Sequence, residues 1–217
     1  DFNKVKKMVS KYFSSIPFRE VIRNKYLFEP KKTEKVQLKI NRDVPSNCIA
    51  LAFHMGGRQD TSFYVSKLIS HILSSGVSSR MYDKLVMKEK VFSKIQTYLG
   101  EDYDSSLFYI KGFLNDNVDY SFAEERIFNE LNSLSSILIS DKELNKVQKK
   151  NESALRFSLL NNSYKAIDLA VGVNLGNPNL INDDFNNFKS ISKSDILNEA
   201  KKIFRRSNCT SLYYGKM

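Results

Sequence analysis

The sequence is organised around residues 48–86, which read CIALAFHMGGRQDTSFYVSKLISHILSSGVSSRMYDKLV. The first six residues of this stretch are continuously apolar, which is typical of a strand in the middle of a sheet. The diglycine Gly56-Gly57 ends this strand, and apolar residues then recur with helical period over 63–73. Gly76 is suited to the C-terminus of that helix. The stretch therefore predicts a central strand followed by a helix, with a second short helix after it.

The flanking sequence adds paired strands and more helices. Alternating apolar and polar residues over 36–40 predict a half-buried strand, and an acidic turn joins two further strands at 91–98 and 107–113. The remaining predicted elements are helices over 2–13, 119–138, 141–160, 164–175 and after 192, and a closing strand over 209–214. This order predicts an α+β fold, a mainly antiparallel sheet backed by several helices.

Two of the predicted helix starts carry the pattern of a capping box. Ser140 is followed three residues later by Glu143, and Ser192 is followed in the same way by Asp195. In a capping box the two side chains bond each other's backbone N–H groups at the first turn of the helix. We therefore expect both helices to begin directly after the serine.

The chain carries a formal net charge of +10, from 34 Lys and Arg against 24 Asp and Glu. The basic residues are scattered as short pairs along the chain, which favours a solvated basic surface that could attract acidic peptides over a nucleic-acid site. An unrelated basic binding module, for nucleic acid for example, stays open as an alternative. No apolar run approaches the ~18 residues of a membrane span, so none is predicted.

The two cysteines, Cys48 and Cys209, each follow an asparagine at the start of an apolar run. They could form a disulfide if these runs become neighbouring strands, or they could be two buried free thiols. Structural zinc is not expected here, because two cysteines need histidines at finger-like spacing to complete a site.

Histidine is too scarce for a catalytic zinc site. His54 and His71 are the two histidines of the chain, and the motif H-x-x-E-H is absent. Activation of water on zinc requires three protein ligands and a general base, and a serine or cysteine nucleophile requires a histidine partner. We therefore predict no catalytic residue, no metal site and no cofactor in this segment, and no activity of the segment alone.

Two stretches carry a resemblance to a known family. Residues 53–60 and 68–85 are similar to the C-terminal, non-catalytic domain of pitrilysin/insulinase-family zinc metallopeptidases of the bacterial, mitochondrial-processing-peptidase-like type. The most specific piece is Gly-Val-Ser-Ser-Arg-Met-Tyr at 76–82. Weaker agreement extends to 11–17 and 209–214, so the resemblance covers nearly the whole chain.

The resemblance implies a division of labour between two domains. Residues 34–217 would be the inactive domain that closes a chamber and holds peptide substrates, and residues 1–33 would be the end of a preceding domain with its connector. Zinc would sit in a partner domain with H-x-x-E-H, in the same chain or in a separate subunit. The alternative is a degenerate member that serves as a scaffold or assembly subunit. The compartment, periplasm or cytoplasm, is left open.

The resemblance also implies where substrate would be contacted. In many members the closing domain supplies an Arg and a Tyr to the substrate, and aligning the Ser-Ser-Arg stretch places Val86 and Ser93 at those positions. Neither residue matches, so we expect the domain to form a wall of the chamber more than a part of its chemistry. The expected substrate-binding residues are Arg80, Phe92, Lys94 and Tyr98.

Overall fold

The computed structural model describes residues 1–20 and 30–216, in two compact units that divide the chain between Lys31 and Lys32. Part of the predicted connector, residues 21–29, lies outside the described residues. The assignment of residues 1–33 to a preceding domain stays a prediction.

The first unit contains helix α1 (Phe2–Phe13), with the bounds that the sequence predicts. The Asp1 side chain accepts a hydrogen bond from the backbone N–H of Asn3 at 2.8 Å, which caps the first turn. No residue of the helix is buried within its unit, and Phe2 on its apolar face is 78% exposed.

The second unit is built on a five-stranded sheet with the order β1-β5-β2-β4-β3. The strands are β1 (Val36–Arg42), β2 (Cys48–Gly56), β3 (Phe92–Leu99), β4 (Ser105–Leu114) and β5 (Cys209–Lys216). Strand β1 runs parallel to β5, and the other three pairings are antiparallel. The prediction of an α+β domain with a mainly antiparallel sheet is confirmed.

The helices of this unit are α2 (Ser62–Ser74), a π-helical segment (Tyr82–Lys88), α3 (Tyr120–Ser136), α4 (Asp141–Ser158), α5 (Asn162–Asn174), α6 (Leu180–Lys189) and α7 (Lys193–Ile203), with a short 3₁₀ turn (Arg206–Asn208) before β5. Helix α6 is absent from the sequence-based expectations. Among the described residues, no helix combines the length and apolarity that crossing a bilayer would require. Both predicted serine N-caps form, at Ser140 and Ser192.

The helices cover one face of the sheet. On β2 the odd-numbered residues from Ile49 to Met55 point to this face and are buried. The Phe53 ring lies at the centre of the core, edge-on to Phe128 of α3 at 6.1 Å and to Phe204 at 5.3 Å. Burial of such apolar surface is the main stabilising contribution to the fold.

The prediction of a half-buried strand at 36–40 is wrong in its burial. All seven residues of β1 are exposed, although the strand itself forms. The reason is position: β1 is an edge strand, and its apolar residues Val36, Leu38 and Ile40 lie opposite Thr210, Leu212 and Tyr214 on the face away from the helices.

The two cysteines are buried free thiols. They do lie on neighbouring strands, but the register places Cys48 opposite Tyr214 and Cys209 opposite Phe53. The two thiols are therefore at opposite ends of the strand pair, beyond the reach of a disulfide.

Candidate functional site

Helix α2 carries a degenerate copy of a zinc-motif spacing. Lys67, Ser70 and His71 stand at the first, fourth and fifth positions of the sequence KLISH, where H-x-x-E-H has His, Glu and His. Because residues one turn apart share a helix face, the three side chains project together. Sequence reasoning missed this correspondence, although the four-residue spacing between Lys67 and His71, the single histidine of the helix, could have revealed it.

The surroundings of His71 do not suit a metal ion. Burial, and then the charges of Lys67 and Lys150, lower the pKa of His71 to about 4, so the imidazole is neutral at pH 7. The Lys67 ammonium lies 3.2 Å from the Glu101 carboxylate, with which it forms an ion pair. Positive charge next to a single imidazole disfavours a cation. Across residues 1–20 and 30–216, no group of three or more His, Cys, Asp or Glu side chains could hold a metal ion.

Two serine hydroxyl groups of the same helix form hydrogen bonds with the outer backbone groups of the neighbouring edge strand, β3. The backbone N–H of Thr97 on β3 donates to Ser74 Oγ at 2.8 Å, and Ser70 Oγ donates to the Thr97 carbonyl at 3.3 Å. The Thr97 hydroxyl in turn donates to the Ser70 carbonyl at 3.0 Å. An added strand would need the same N–H and C=O groups of Thr97. Pairing of a peptide at this point of β3 is therefore blocked.

The face of the sheet away from the helices presents side chains from all five strands. On β2 and β4, whose register is continuous, Ala52 lies opposite Tyr109, and Tyr109 lies opposite Tyr98 of β3. Apolar and aromatic residues dominate these positions: Val36, Leu38, Ile40, Ala50, Ala52, Leu107, Tyr109, Phe113, Tyr98, Leu212 and Tyr214. We call this surface the open face.

The edge strand β3 and its neighbour β4 give the open face its most distinctive corner. The rings of Tyr98 and Tyr109 are stacked, with centroids 4.8 Å apart and planes 16° from parallel. Next to them Lys111 lies over the Phe113 ring, its ammonium 5.1 Å from the centroid. Lys94 stands opposite Phe113 across the strand pair. Stacked rings and exposed cations offer both apolar area and positive charge to a ligand.

Lys94 and Tyr98, two of the four expected substrate-binding residues, therefore lie on the open face, and both are exposed. Phe92 does not. Strand β3 has a bulge between Phe92 and Lys94, where two steps along β3 match one step along β4. The extra residue turns Phe92 to the helix side, where it is 0% exposed and packs in the core.

Arg80 also lies away from the open face. Its guanidinium forms a two-point hydrogen bond with Glu143 of α4, from Nε at 2.8 Å and from Nη2 at 2.7 Å. These bonds raise the pKa of Arg80 above its ordinary value. Glu143 was expected to complete the capping box of α4 with Ser140; only the Ser140 half of that motif forms, because Arg80 holds the carboxylate.

The family model of the peptidase M16 inactive domain matches residues 1–151. The chain belongs to the M16 peptidase family, as one of its inactive domains. Membership of this class agrees with the poor fit of the Lys67-Ser70-His71 face to a metal ion. A search of curated proteins finds none that matches the chain.

Three solved structures are similar in fold to this M16 inactive domain. A protease from Helicobacter pylori has a TM-score of 0.91 at 21% identity, with 99% of this chain and 52% of that chain covered. The inactive peptidase domain of a proposed zinc protease from Bordetella parapertussis has a TM-score of 0.73 at 22% identity, with 82% and 95% covered. A chain of complex III2 from Candida albicans has a TM-score of 0.80 at 17% identity, with 99% and 52% covered. The M16 chain thus spans about half of the first and third proteins.

The positions at which many relatives were expected to supply an Arg and a Tyr hold Val86 and Ser93 in this M16 domain. Val86 is partly buried against the core, and Ser93 is the exposed bulge residue whose hydroxyl donates to the Phe113 carbonyl at 3.2 Å. Neither side chain carries a charge that could stabilise a developing oxyanion.

Proposed function

We propose that residues 34–217 are the chamber-closing, substrate-holding half of a zinc-dependent endopeptidase that processes or degrades peptides. The zinc ion and its H-x-x-E-H motif would belong to a catalytic domain in the same chain or in a separate subunit. Residues 1–33 would connect that domain to this one. This division is supported by the membership of the M16 inactive-domain family and by the surroundings of His71, which do not fit zinc.

The open face is the observation that carries the proposal. It is a broad sheet surface that none of the helices described within residues 32–216 covers, and its exposed side chains include Tyr98 at 49% and Leu38 at 54% exposure. A polypeptide in extended conformation can bury such side chains against its own, at about 25 cal/mol for each Å² removed from water. Contact through side chains suits substrates of varied sequence, because it sets few hydrogen-bonding requirements.

The holding would not proceed by strand addition at β3. Thr97 has its outer N–H and C=O groups bonded to Ser74 and Ser70, so a peptide would first have to break these bonds. We therefore expect a substrate to lie across the open face near Tyr98 and Tyr109 instead of along this edge.

Photo-crosslinking tests the proposal directly. The residue p-benzoylphenylalanine is placed at Tyr98 on the open face or, as a control, at Lys142 on the exposed side of α4. With a labelled unstructured peptide we expect crosslinking from position 98 and little from position 142. Equal labelling from the two positions, or none from position 98 at saturating peptide, would contradict the proposal.

Zinc content and hydrolysis form the second part of the test. The purified chain is expected to bind no stoichiometric zinc and to leave the same unstructured peptide uncut. Hydrolysis by the pure chain that a chelator abolishes would show a catalytic site in this segment and would overturn the assignment. Addition of a catalytic H-x-x-E-H domain should produce cleavage that depends on the open face, so Tyr98→Ser should slow it.

A scaffold role is the second candidate, and the likeness to a chain of complex III2 from Candida albicans is the observation that favours it. A scaffold subunit would assemble with other chains and would not need to bind peptides. Stable assembly with a catalytic-type domain, combined with no peptide crosslinking at position 98, would favour this reading.

A further inference from the structure

We infer that the open face selects extended peptides that carry acidic side chains, through Lys94 and Lys111. This inference rests on the proposed function and adds the substrate class. Both lysines are exposed, on neighbouring strands of the same corner. Lys94 is paired with Phe113 and Lys111 with Gln96, so the two cations stand on adjacent rows of side chains.

Among the residues that the structure describes, neither lysine is paired with a carboxylate. Some basic side chains of the second unit are held by carboxylates, for example Lys35 by Glu124 and Lys84 by Glu130, each at 2.5 Å. Within the part of the chain that the structure describes, no carboxylate oxygen lies within 4.0 Å of the Lys94 or Lys111 ammonium. Lys111 instead lies over the Phe113 ring. Both charges are therefore available to a ligand.

The open face also lacks acidic residues at its strand positions. Its polar side chains are uncharged or basic, and the nearby carboxylates belong to the turns at 43–47, 100–104 and 115–117. Of these, Glu101 is paired with Lys67 of α2, and Asp102 accepts a hydrogen bond from Ser106, whose side chain is buried. The charged side chains at the strand positions of the corner, Lys94 and Lys111, are therefore both basic.

The spacing of the corner sets a pattern for the ligand. Tyr109 and Lys111 are two residues apart on β4, which corresponds to about 7 Å along a strand. An extended peptide that runs along β4 also places every second side chain on one side at this interval. A peptide with an aromatic residue and, two positions on, an acidic residue matches the tyrosine pair and Lys111.

A binding measurement with matched peptides tests the inference. Four fluorescein-labelled ten-residue peptides of otherwise Ser and Gly sequence are compared. In three of them a variable residue, Glu, Gln or Lys, stands two positions after each aromatic residue. In the fourth, of the same composition as the Glu peptide, each Glu stands directly after an aromatic residue. Fluorescence anisotropy of the 217-residue chain at low salt gives each dissociation constant. An exposed ion pair contributes a factor of roughly 1.5–5, so two pairs should favour the first Glu peptide over the Gln peptide by about 2- to 25-fold.

Charge reversal on and off the open face separates a local effect from the overall positive charge. Lys94→Glu/Lys111→Glu should abolish or invert the preference for the Glu peptide. The control Lys142→Glu/Lys201→Glu changes the net charge equally at exposed positions of α4 and α7 and should leave the preference in place. Salt near 0.5 M should reduce the preference through screening.

The outcomes distinguish this inference from the proposed function. A preference lost equally in both double variants would mean attraction by net charge and would overturn the inference. Equal binding of the Glu, Gln and Lys peptides, with weaker binding by Tyr98→Ser, would overturn the charge selection and leave the peptide-holding face standing. Absence of binding by every peptide would overturn both. Equal affinity for the two Glu peptides would refute the spacing.

Discussion

The packing of Phe92 against Gly112 gives the sharpest test of the fold. A Cβ atom built at Gly112 would lie 2.6 Å from Phe92 Cε1 and 2.7 Å from Cδ1, well inside van der Waals contact. Phe92 is 0% exposed, so its ring has no free space into which to turn. Gly112→Ala should therefore strain the core, although alanine at a strand position normally costs less conformational entropy than glycine.

The magnitudes follow from the geometry. Overpacking of a filled core costs about 1–3 kcal/mol, so Gly112→Ala should lower the melting temperature by roughly 3–10 °C in a domain of this size. Phe92→Ala alone removes a buried ring and should cost about 3–5 kcal/mol. In the double variant the new methyl group has the space of the lost ring. The double variant should therefore be about as stable as Phe92→Ala, with a favourable coupling of about 1–3 kcal/mol.

Chemical denaturation followed by circular dichroism measures all three variants. Phe113→Ala, on the half-exposed open side of the same strand pair, is the matched control and should show no such coupling with Gly112→Ala. Additive effects of Gly112→Ala and Phe92→Ala, or a wild-type midpoint for Gly112→Ala, would refute the placement of the ring. Peptide binding by folded Gly112→Ala should be unchanged, since neither side chain lies on the open face.

Three further predictions concern buried groups. The pKa of His71 is 6.5 in the unfolded chain and about 4 in the folded one, so the unfolded state binds an extra proton between these pH values. The free energy of unfolding should therefore fall by about 3 kcal/mol as the pH drops from 6.5 to 4. Chemical denaturation at pH 4–7 should show a smaller loss for His71→Gln. Burial raises the pKa of Cys209 to about 12 and also raises the pKa of Cys48. Both thiols should therefore react slowly with a disulfide reagent at pH 7 until denaturant is added. Fast reaction of the folded chain would contradict their burial. Arg80→Lys keeps the charge but loses the two-point bond to Glu143, so the free energy of unfolding should fall by about 1–2 kcal/mol while peptide affinity is unchanged. A fall in peptide affinity without a loss of stability would instead show that Arg80 binds substrate.

Local and periodic patterns in the sequence predicted most of the fold. The amphipathic pattern of α1, the apolar run of β2 and the serine caps at Ser140 and Ser192 each depend on neighbours in sequence, and each element begins where that local chemistry places it. Helix α6 was missed because five of its ten residues are Asn or Asp, which favour turns when read alone. Its formation depends on tertiary contact: Phe188 is buried and packs edge-on to Tyr64 of α2 at 5.0 Å.

The candidate site depended more on nonlocal structure. Strict alternation would place Phe92, Lys94 and Tyr98 on one side of β3, and the bulge at Ser93 alone moves Phe92 to the other. A single inserted residue leaves no clear mark in composition or hydrophobic period. The partner of Arg80 was equally hidden, since Glu143 lies far away in sequence and its local pattern predicts a capping role. The absence of a zinc motif, by contrast, could be read directly from two histidines.

The hydroxyl groups around Thr97 also decide how this domain can associate with others like it. Sheets in solution join edge to edge and grow into fibrils when outer strands offer free backbone groups. At β3 the groups of Thr97 are already bonded to Ser70 and Ser74, so joining there would require two hydrogen bonds to be exchanged without gain. On β1, at the opposite edge, Lys39 and Arg42 supply charge that discourages stacking. The domain can thus expose a wide apolar sheet while both of its margins resist self-assembly.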